Sequence, residues 1–183
     1  MGGQNPTETY SFCVRDSADS LASHWPCIFT DCEVCGEDLR WSHKLMSYQR
    51  QISVTTKGHG DMHDLTEQVA SVVNASGIQT GTVNVFNVGS TATIGTIEFE
   101  PGLQHDLPAI LDKLIPPSRN YGHEQAWHDG NGHSHLQATL LGPSLSVPIS
   151  DGKLVLGTWQ QIFHLECDAR GRERTIIVTV IGD

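Results

Sequence analysis

GTVNVFNVGSTATIGTIEFEPGLQHDLPAILDKL, Gly81–Leu114, sets two strands side by side in sequence before any helix intervenes. Gly81 to Val88 reads as one strand and Ala92 to Glu98 as the next, both rich in the β-branched residues that suit a pleated, half-buried surface. Gly89-Ser90-Thr91 between them is a small hydroxyl-bearing loop. Pro101-Gly102 marks a turn, after which Leu107, Ile110, Leu111 and Leu114 recur at helical spacing until Pro116-Pro117 closes the segment.

Working outward, Gln51–Thr56 alternates with period 2 and Lys57-Gly58-His59-Gly60 breaks it. Asp64 with Glu67 has the form of a capping box. Leu65, Val69, Val72 and Val73 make the apolar stripe of a helix that Gly77 can end. Downstream, Ser134–Leu141 reads as a short helix with Asn131 or Ser134 near its start. Strands follow at Leu145–Ile149, Leu154–Leu156, Thr158–Cys167 and Thr175–Ile181, and Asp151-Gly152 is a strong hairpin signal. Strand, helix, two strands, helix and a run of strands is an α+β order, expected as one compact domain with a mixed or antiparallel sheet and two to three helices.

With 183 residues and 38% hydrophobic content the chain can bury one core. Residues 46–183 are read as that domain and residues 1–45 as a Cys-containing extension dispensable for its folding. Cys32 and Cys35 there form half of a zinc-knuckle pattern. The net charge of −10 is spread over both parts, so no basic face offers itself to nucleic acid or an anionic membrane. No window approaches the roughly 18 apolar residues of a bilayer span, and the N-terminal residues lack a signal-peptide pattern. A cytoplasmic protein is expected, and five cysteines, an odd number, fit a reducing compartment.

The ligand-rich segment is Tyr121–Gly142, YGHEQAWHDGNGHSHLQATLLG, with His123, His128, His133 and His135 falling within thirteen residues beside Glu124, Asp129 and Asn131. Three imidazoles with one open position is the arrangement of a metal that does chemistry. The expected ligands are His123, His133 and His135, with His128 as substitute, around a divalent metal, zinc at ~2.0–2.1 Å. Because His133 and His135 are two apart, sharing one ion requires an extended Gly132–Ser134, since a helix separates them by about 200°. Glu98, at a strand end, is the candidate general acid/base. Arg170, Arg172 and Arg174 alternate, so an extended segment points all three to one side, where guanidinium groups suit a phosphorylated substrate with Ser90 and Thr91 assisting.

The segments KGHGDMHDLTEQV, STATIGTIEFEPGLQHDL, WHDGNGHSHLQATLLGPSLSVPI and LGTWQQIFHLE stand in this order, and with them the chain from about Met46 to Gly182 resembles the YjbQ family. The resemblance implies a compact α+β domain, a homotrimer, a metal held by histidines and the activity described for the family, a secondary thiamine-phosphate synthase. Matching positions are Asp64, Glu98, His123, Asn131, His135, Trp159-Gln160, Glu166 and Asp168. Many members carry His-Thr-Thr where this chain has Gly89-Ser90-Thr91. The implied site uses Glu98 and Gln160 for catalysis, with Ser90, Thr91, Asn131, Arg172 and Arg174 for the substrate. If a pyrophosphate leaving group is involved, magnesium joins the expected cofactors. The competing readings are a metal-dependent hydrolase of a phosphorylated metabolite and a non-catalytic trimeric binding protein.

Overall fold

A computed structural model describes residues 45–183. The Cys32–Cys35 half-knuckle and the expectation that the N-terminal extension is dispensable concern residues that lie outside the described ones. The first strand, β1 (Met46–Thr55), turns Val54 into the core with Ile52 and Tyr48 packed behind it, the period-2 result of its alternation. A short strand that the sequence did not advertise, β2 (Met62–Asp64), precedes helix α1 (Thr66–Ser76). Asp64 starts that helix differently from the expected capping box, its Oδ1 accepting from both the backbone N–H and the hydroxyl of Thr66. Val69, Val72 and Val73 of α1 are buried, and Gly77 closes it at φ 71°, a left-handed conformation that glycine adopts at no steric cost.

Strands β3 (Gly81–Val88) and β4 (Ala92–Ile97) fall where their sequence places them. Helix α2 (Pro101–Leu114) takes Pro101-Gly102 into its first turn, because the Glu100 carboxylate accepts from the Gly102 and Leu103 N–H groups and Pro101 needs no donor there. After α2 come two further helices, α3 (Gly122–Trp127) and α4 (Gly132–Leu141). The chain finishes with β5 (Ser144–Ser150), β6 (Lys153–Leu154), β7 (Gln161–Glu166) and β8 (Glu173–Gly182). The Asp151-Gly152 turn between β5 and β6 has both residues at positive φ, 51° and 68°, as the hairpin signal required. The strand expected over Thr158–Cys167 begins only at Gln161, so Trp159 and Gln160 lie in the turn before it.

Among the described residues all strand pairings are antiparallel. One sheet runs β1-β8-β3-β5-β6 and the other β2-β7-β4. Strand β7 has cores on both faces. Ile162 joins the main core of Leu65, Val69 and Val73 with Val83, Val85, Val178 and Val180, whereas Phe163 and Leu165 join Leu111 of α2 and Ala138 of α4. Each such side chain contributes about 1.5–3 kcal/mol on burial.

Beyond Ile162 the space between the sheets becomes polar. Glu166, fully buried on β7, meets Arg174 on β8: Nε donates to Oε2 at 2.6 Å and Nη2 donates to Oε1. Thr56 donates to the same carboxylate at 2.8 Å, and Arg174 Nη2 also donates to Thr91 Oγ1 at 2.8 Å. His164, one side-chain pair nearer the apolar core, is also fully buried. Burial pushes its pKa down to about 4, against the opposing pull of Glu166 and with Arg174 adding to the depression.

Two expectations follow. Removing one partner of the inter-sheet pair, by Glu166→Ala or Arg174→Ala, costs about 3–5 kcal/mol of unfolding free energy in urea titrations, while the double change Glu166→Leu/Arg174→Met costs less than either single change. Acidification tests His164. Its unfolded ring binds a proton below about pH 6.5, whereas the folded one does so only near 4. The stability it contributes is therefore fully present above about pH 6.5 and is lost as pH falls toward 4. Unfolding midpoints measured from pH 7.5 to 4.5 fall less steeply in a His164→Gln variant.

Candidate functional site

The histidine stretch is built by α3, α4 and the tight loop joining them. His128 ends α3 at φ 57° and Gly130 follows at φ 79°, so the chain doubles back. The buried Glu124 carboxylate secures the loop, accepting from Gly130 N–H at 2.9 Å and Gly132 N–H at 3.2 Å. A side chain at Gly132 would place Cβ 2.8 Å from Tyr121 Cβ, so this close return also requires glycine.

The result brings the His123 and His135 rings to 4.7 Å between centroids. His123 Nε2 stands 3.4 Å from Asp129 Oδ1, and although buried it has no hydrogen-bond partner among the described residues. Asn131 Oδ1 is buried and unpartnered in the same way.

His133 does not join them. Helix α4 begins at Gly132, so Gly132–Ser134 is helical rather than extended, and the ring is carried to the other side of the helix. There it packs edge-on to His59 at 5.3 Å. His59 Nε2 lies 2.8 Å from Asp112 Oδ1 and Nδ1 lies 3.2 Å from the Cys167 carbonyl, while Gln137 Nε2 donates to the same Asp112 oxygen at 3.0 Å. Burial and then the charge of His59 hold His133 below the ordinary histidine pKa. His128 is exposed at the loop. The expected convergence of three imidazoles is thus replaced by a pair, and among the described residues no three His, Cys, Asp or Glu side chains stand ready around one ion.

The arginines also divide. Arg174 is buried and committed to Glu166 and Thr91, so its expected exposure beside Arg172 is not what the fold provides. Arg172 remains half-exposed and donates through Nε and Nη2 to Asp168 Oδ2 at 3.1 and 2.8 Å. Burial alone would raise the pKa of Asp168, but Arg172, the Arg170 N–H and Thr91 outweigh it and hold the carboxyl low. The Thr91 hydroxyl is used up between Asp168 and Arg174, and Ser90 is exposed on the loop.

The description UPF0047 protein YjbQ-like fits residues 50–183 as a family model. The chain is 39% identical over 135 residues to a UPF0047 protein of Methanothermobacter thermautotrophicus, covering 74% of this chain and 92% of that one. It belongs to the YjbQ-like UPF0047 family. Among solved structures, a YbjQ-like protein of unknown function from Sulfolobus solfataricus P2 superposes with a TM-score of 0.72 at 38% identity, covering 76% of this chain and all of the other. A hypothetical protein from Aeropyrum pernix K1 gives 0.69 at 31% identity, covering 74% of this chain and 99% of its own.

The positions at which this YjbQ-like chain matches the family pattern do not form one cluster. Glu98 is exposed just past the end of β4, and Gln160 lies at the same end, accepting from Gly157 N–H at 2.8 Å and reaching Thr96 Oγ1 at 3.5 Å. Thr91 precedes the start of β4, and the strand between it and Glu98 spans roughly 23 Å. Glu98 and Gln160 are therefore remote from the Thr91–Arg174 network. Missed in the sequence were His59, Asp112 and Gln137, which come from three separate elements and carry no local pattern. The inward set Ile162, His164 and Glu166 was legible in principle, from its alternation with Phe163, Leu165 and Cys167.

Proposed function

We propose that this YjbQ-like protein binds a divalent cation between His123 and His135 and acts on a phosphorylated small molecule. One observation carries the reading. The buried, unpartnered Nε2 of His123 stands 3.4 Å from Asp129 Oδ1, too far for a good hydrogen bond but close to the spacing of two ligands that share a tetrahedral ion with ~2.0–2.1 Å bonds. His123 and Asp129 would hold the ion together with His135 once its ring turns toward them, since among the described residues no three such side chains already surround one point, and His133 falls outside the set. Glu124 keeps the Asp129–Asn131 loop in place through its two backbone bonds.

A zinc ion in such a site lowers the pKa of bound water and polarises a phosphoryl oxygen. The chain's own contribution to the substrate is Arg172, whose Nη1 is not used by Asp168. A pyrophosphate leaving group, as in thiamine-phosphate formation, ordinarily calls for magnesium held by oxygens. The mixed nitrogen and oxygen set here suits hydrolysis of a phosphate ester better. The family's homotrimer is part of the proposal. Leu103, Ile110 and Leu114 along one side of α2, and Leu136 and Leu140 on α4, are exposed apolar residues that a second copy would cover.

Elemental analysis of zinc-loaded protein is expected to show one equivalent fewer than the parent in His123→Ala and in His135→Ala and the parent's content in His133→Ala; an unchanged content in the first two rejects the site. Turnover of a phosphate-ester panel by the zinc-loaded parent, abolished in His135→Ala, supports the hydrolase, whereas metal without turnover leaves a binding protein. For assembly, light scattering after size exclusion should give three times the 20.0 kDa chain mass, and a monomer at micromolar concentration rejects the trimer.

A further inference from the structure

A second histidine pair lies away from the proposed ion, between strands β2 and β7. His63 and His164 are directly opposite each other in the antiparallel register, flanked by Met62↔Leu165 and Asp64↔Phe163, and their ring centroids are 6.3 Å apart. Each ring has its Nε2 fixed by an oxygen. His63 Nε2 lies 2.9 Å from Asp61 Oδ2, and Asp61 also accepts from Lys57 N–H at 2.8 Å. Burial alone would raise the Asp61 carboxyl, but those two bonds hold it below its ordinary value, so it is an ionised acceptor and His63 Nε2 carries the proton.

The other ring is fixed by Asn87. Its Nδ2 donates to the Gly89 carbonyl at 3.1 Å, which orients the amide with Oδ1 toward His164. His164 Nε2, 3.3 Å from that Oδ1, is therefore the donor, and its Nδ1 is a bare lone pair. That Nδ1 is completely buried and has no partner among the described residues. His63 Nδ1 likewise makes no bond, and its ring is partly exposed.

Imidazoles whose far N–H is held by a carboxylate or an amide oxygen are the form in which histidine ligates metals. We infer that His63 and His164 form a second cation site, taking a borderline divalent transition metal such as zinc through their two Nδ1 atoms, with water completing the coordination. The rings of two ligands sharing one ion at ~2.0–2.1 Å stand roughly 5–6.5 Å apart, a range that the 6.3 Å between these two meets. The charges facing the site are Asp61, Glu166 and Arg174, and Arg174 is neutralised by its pair with Glu166.

Zinc binding by equilibrium dialysis at pH 7.5, in a His123→Ala/His135→Ala background that removes the first site, should still show one equivalent per chain. That equivalent is expected to fall at least tenfold in affinity in His63→Ala and in His164→Gln, and should His164→Gln not fold, His63→Ala decides. Long-range nitrogen–proton NMR supplies the second readout: both rings appear as Nε2–H tautomers, and zinc shifts the Nδ1 resonances of these two histidines. Either ring in the Nδ1–H form, or binding unchanged in His63→Ala, or no zinc bound in the background protein, overturns the inference. Loss of metal through His123→Ala in the otherwise intact chain bears only on the first site.

Discussion

The ion pair between Glu166 and Arg174 is the constraint on which the two-sheet arrangement rests. One partner comes from the central strand of the small sheet and the other from β8 of the large one, with Thr56 and Thr91 bonding into the same pair. Burying both charges costs several kcal/mol per ion, and the cost is offset only if nearly every donor and acceptor is satisfied. Here the carboxylate receives the guanidinium, a threonine hydroxyl and the Asp168 N–H at 2.8 Å. An apolar pair would hold the sheets as well or better, but it would not fix their register. The ionic pair penalises any slip of β7 against β8, because a slip would strand a buried charge.

Strand β7 then determines where everything else can sit. One of its faces follows the apolar core into the polar layer of His164 and Glu166, and the other supports α2 and α4 through Phe163 and Leu165. Helix α4 is thereby pinned by Ala138 and by Gln137, which donates to Asp112 and to the Ile115 carbonyl. Once α4 is pinned from Gly132 onward, its 3.6-residue repeat dictates that His133 and His135 serve different neighbours. The division of the histidines is a consequence of helix packing, not of a preference of the side chains.

This explains why part of the architecture was legible in the chain and part of the site was not. Strand β3, helix α1 with its Val69–Val73 stripe and Gly77 stop, and the Asp151-Gly152 hairpin depend on local periodicity and turn chemistry, and they stand where the residues place them. Arg174 reads locally like Arg172, two residues away; only the approach of Glu166 from another sheet makes one structural and leaves the other half-exposed. Trp159 reads as part of the long strand from Thr158, yet the Gly157–Gln160 turn ends just before β7 and leaves its side chain 69% exposed. Local text cannot report such long-range pairings. His133 illustrates the sharpest case: extended spacing and helical spacing send it to opposite sides, and a one-turn difference in the start of α4 chooses between them.

In an acidic chain with ten histidines, carboxylates are abundant enough that proximity to one says little by itself. His105 against Asp106 is an exposed pair of sequence neighbours, and such a contact contributes almost nothing in water. What separates the informative imidazoles is the other nitrogen. His59 has both ring nitrogens directed at acceptors, Asp112 and the Cys167 carbonyl, so it is tied into the fold. His123, His133 and His164 each keep a buried nitrogen without a partner. A buried polar atom left unbonded costs about 1–3 kcal/mol, a penalty that a fold this well bonded elsewhere would be expected to remove unless something fills the place. The three atoms lie in three different surroundings, His123 beside Asp129, His164 opposite His63 and His133 against the edge of His59. His133 faces instead the edge of His59, whose ring nitrogens are directed at Asp112 and the Cys167 carbonyl. By that reasoning the two cation sites proposed above are the places the fold leaves open, and His133, one of the three rings the sequence named as ligands, is in neither.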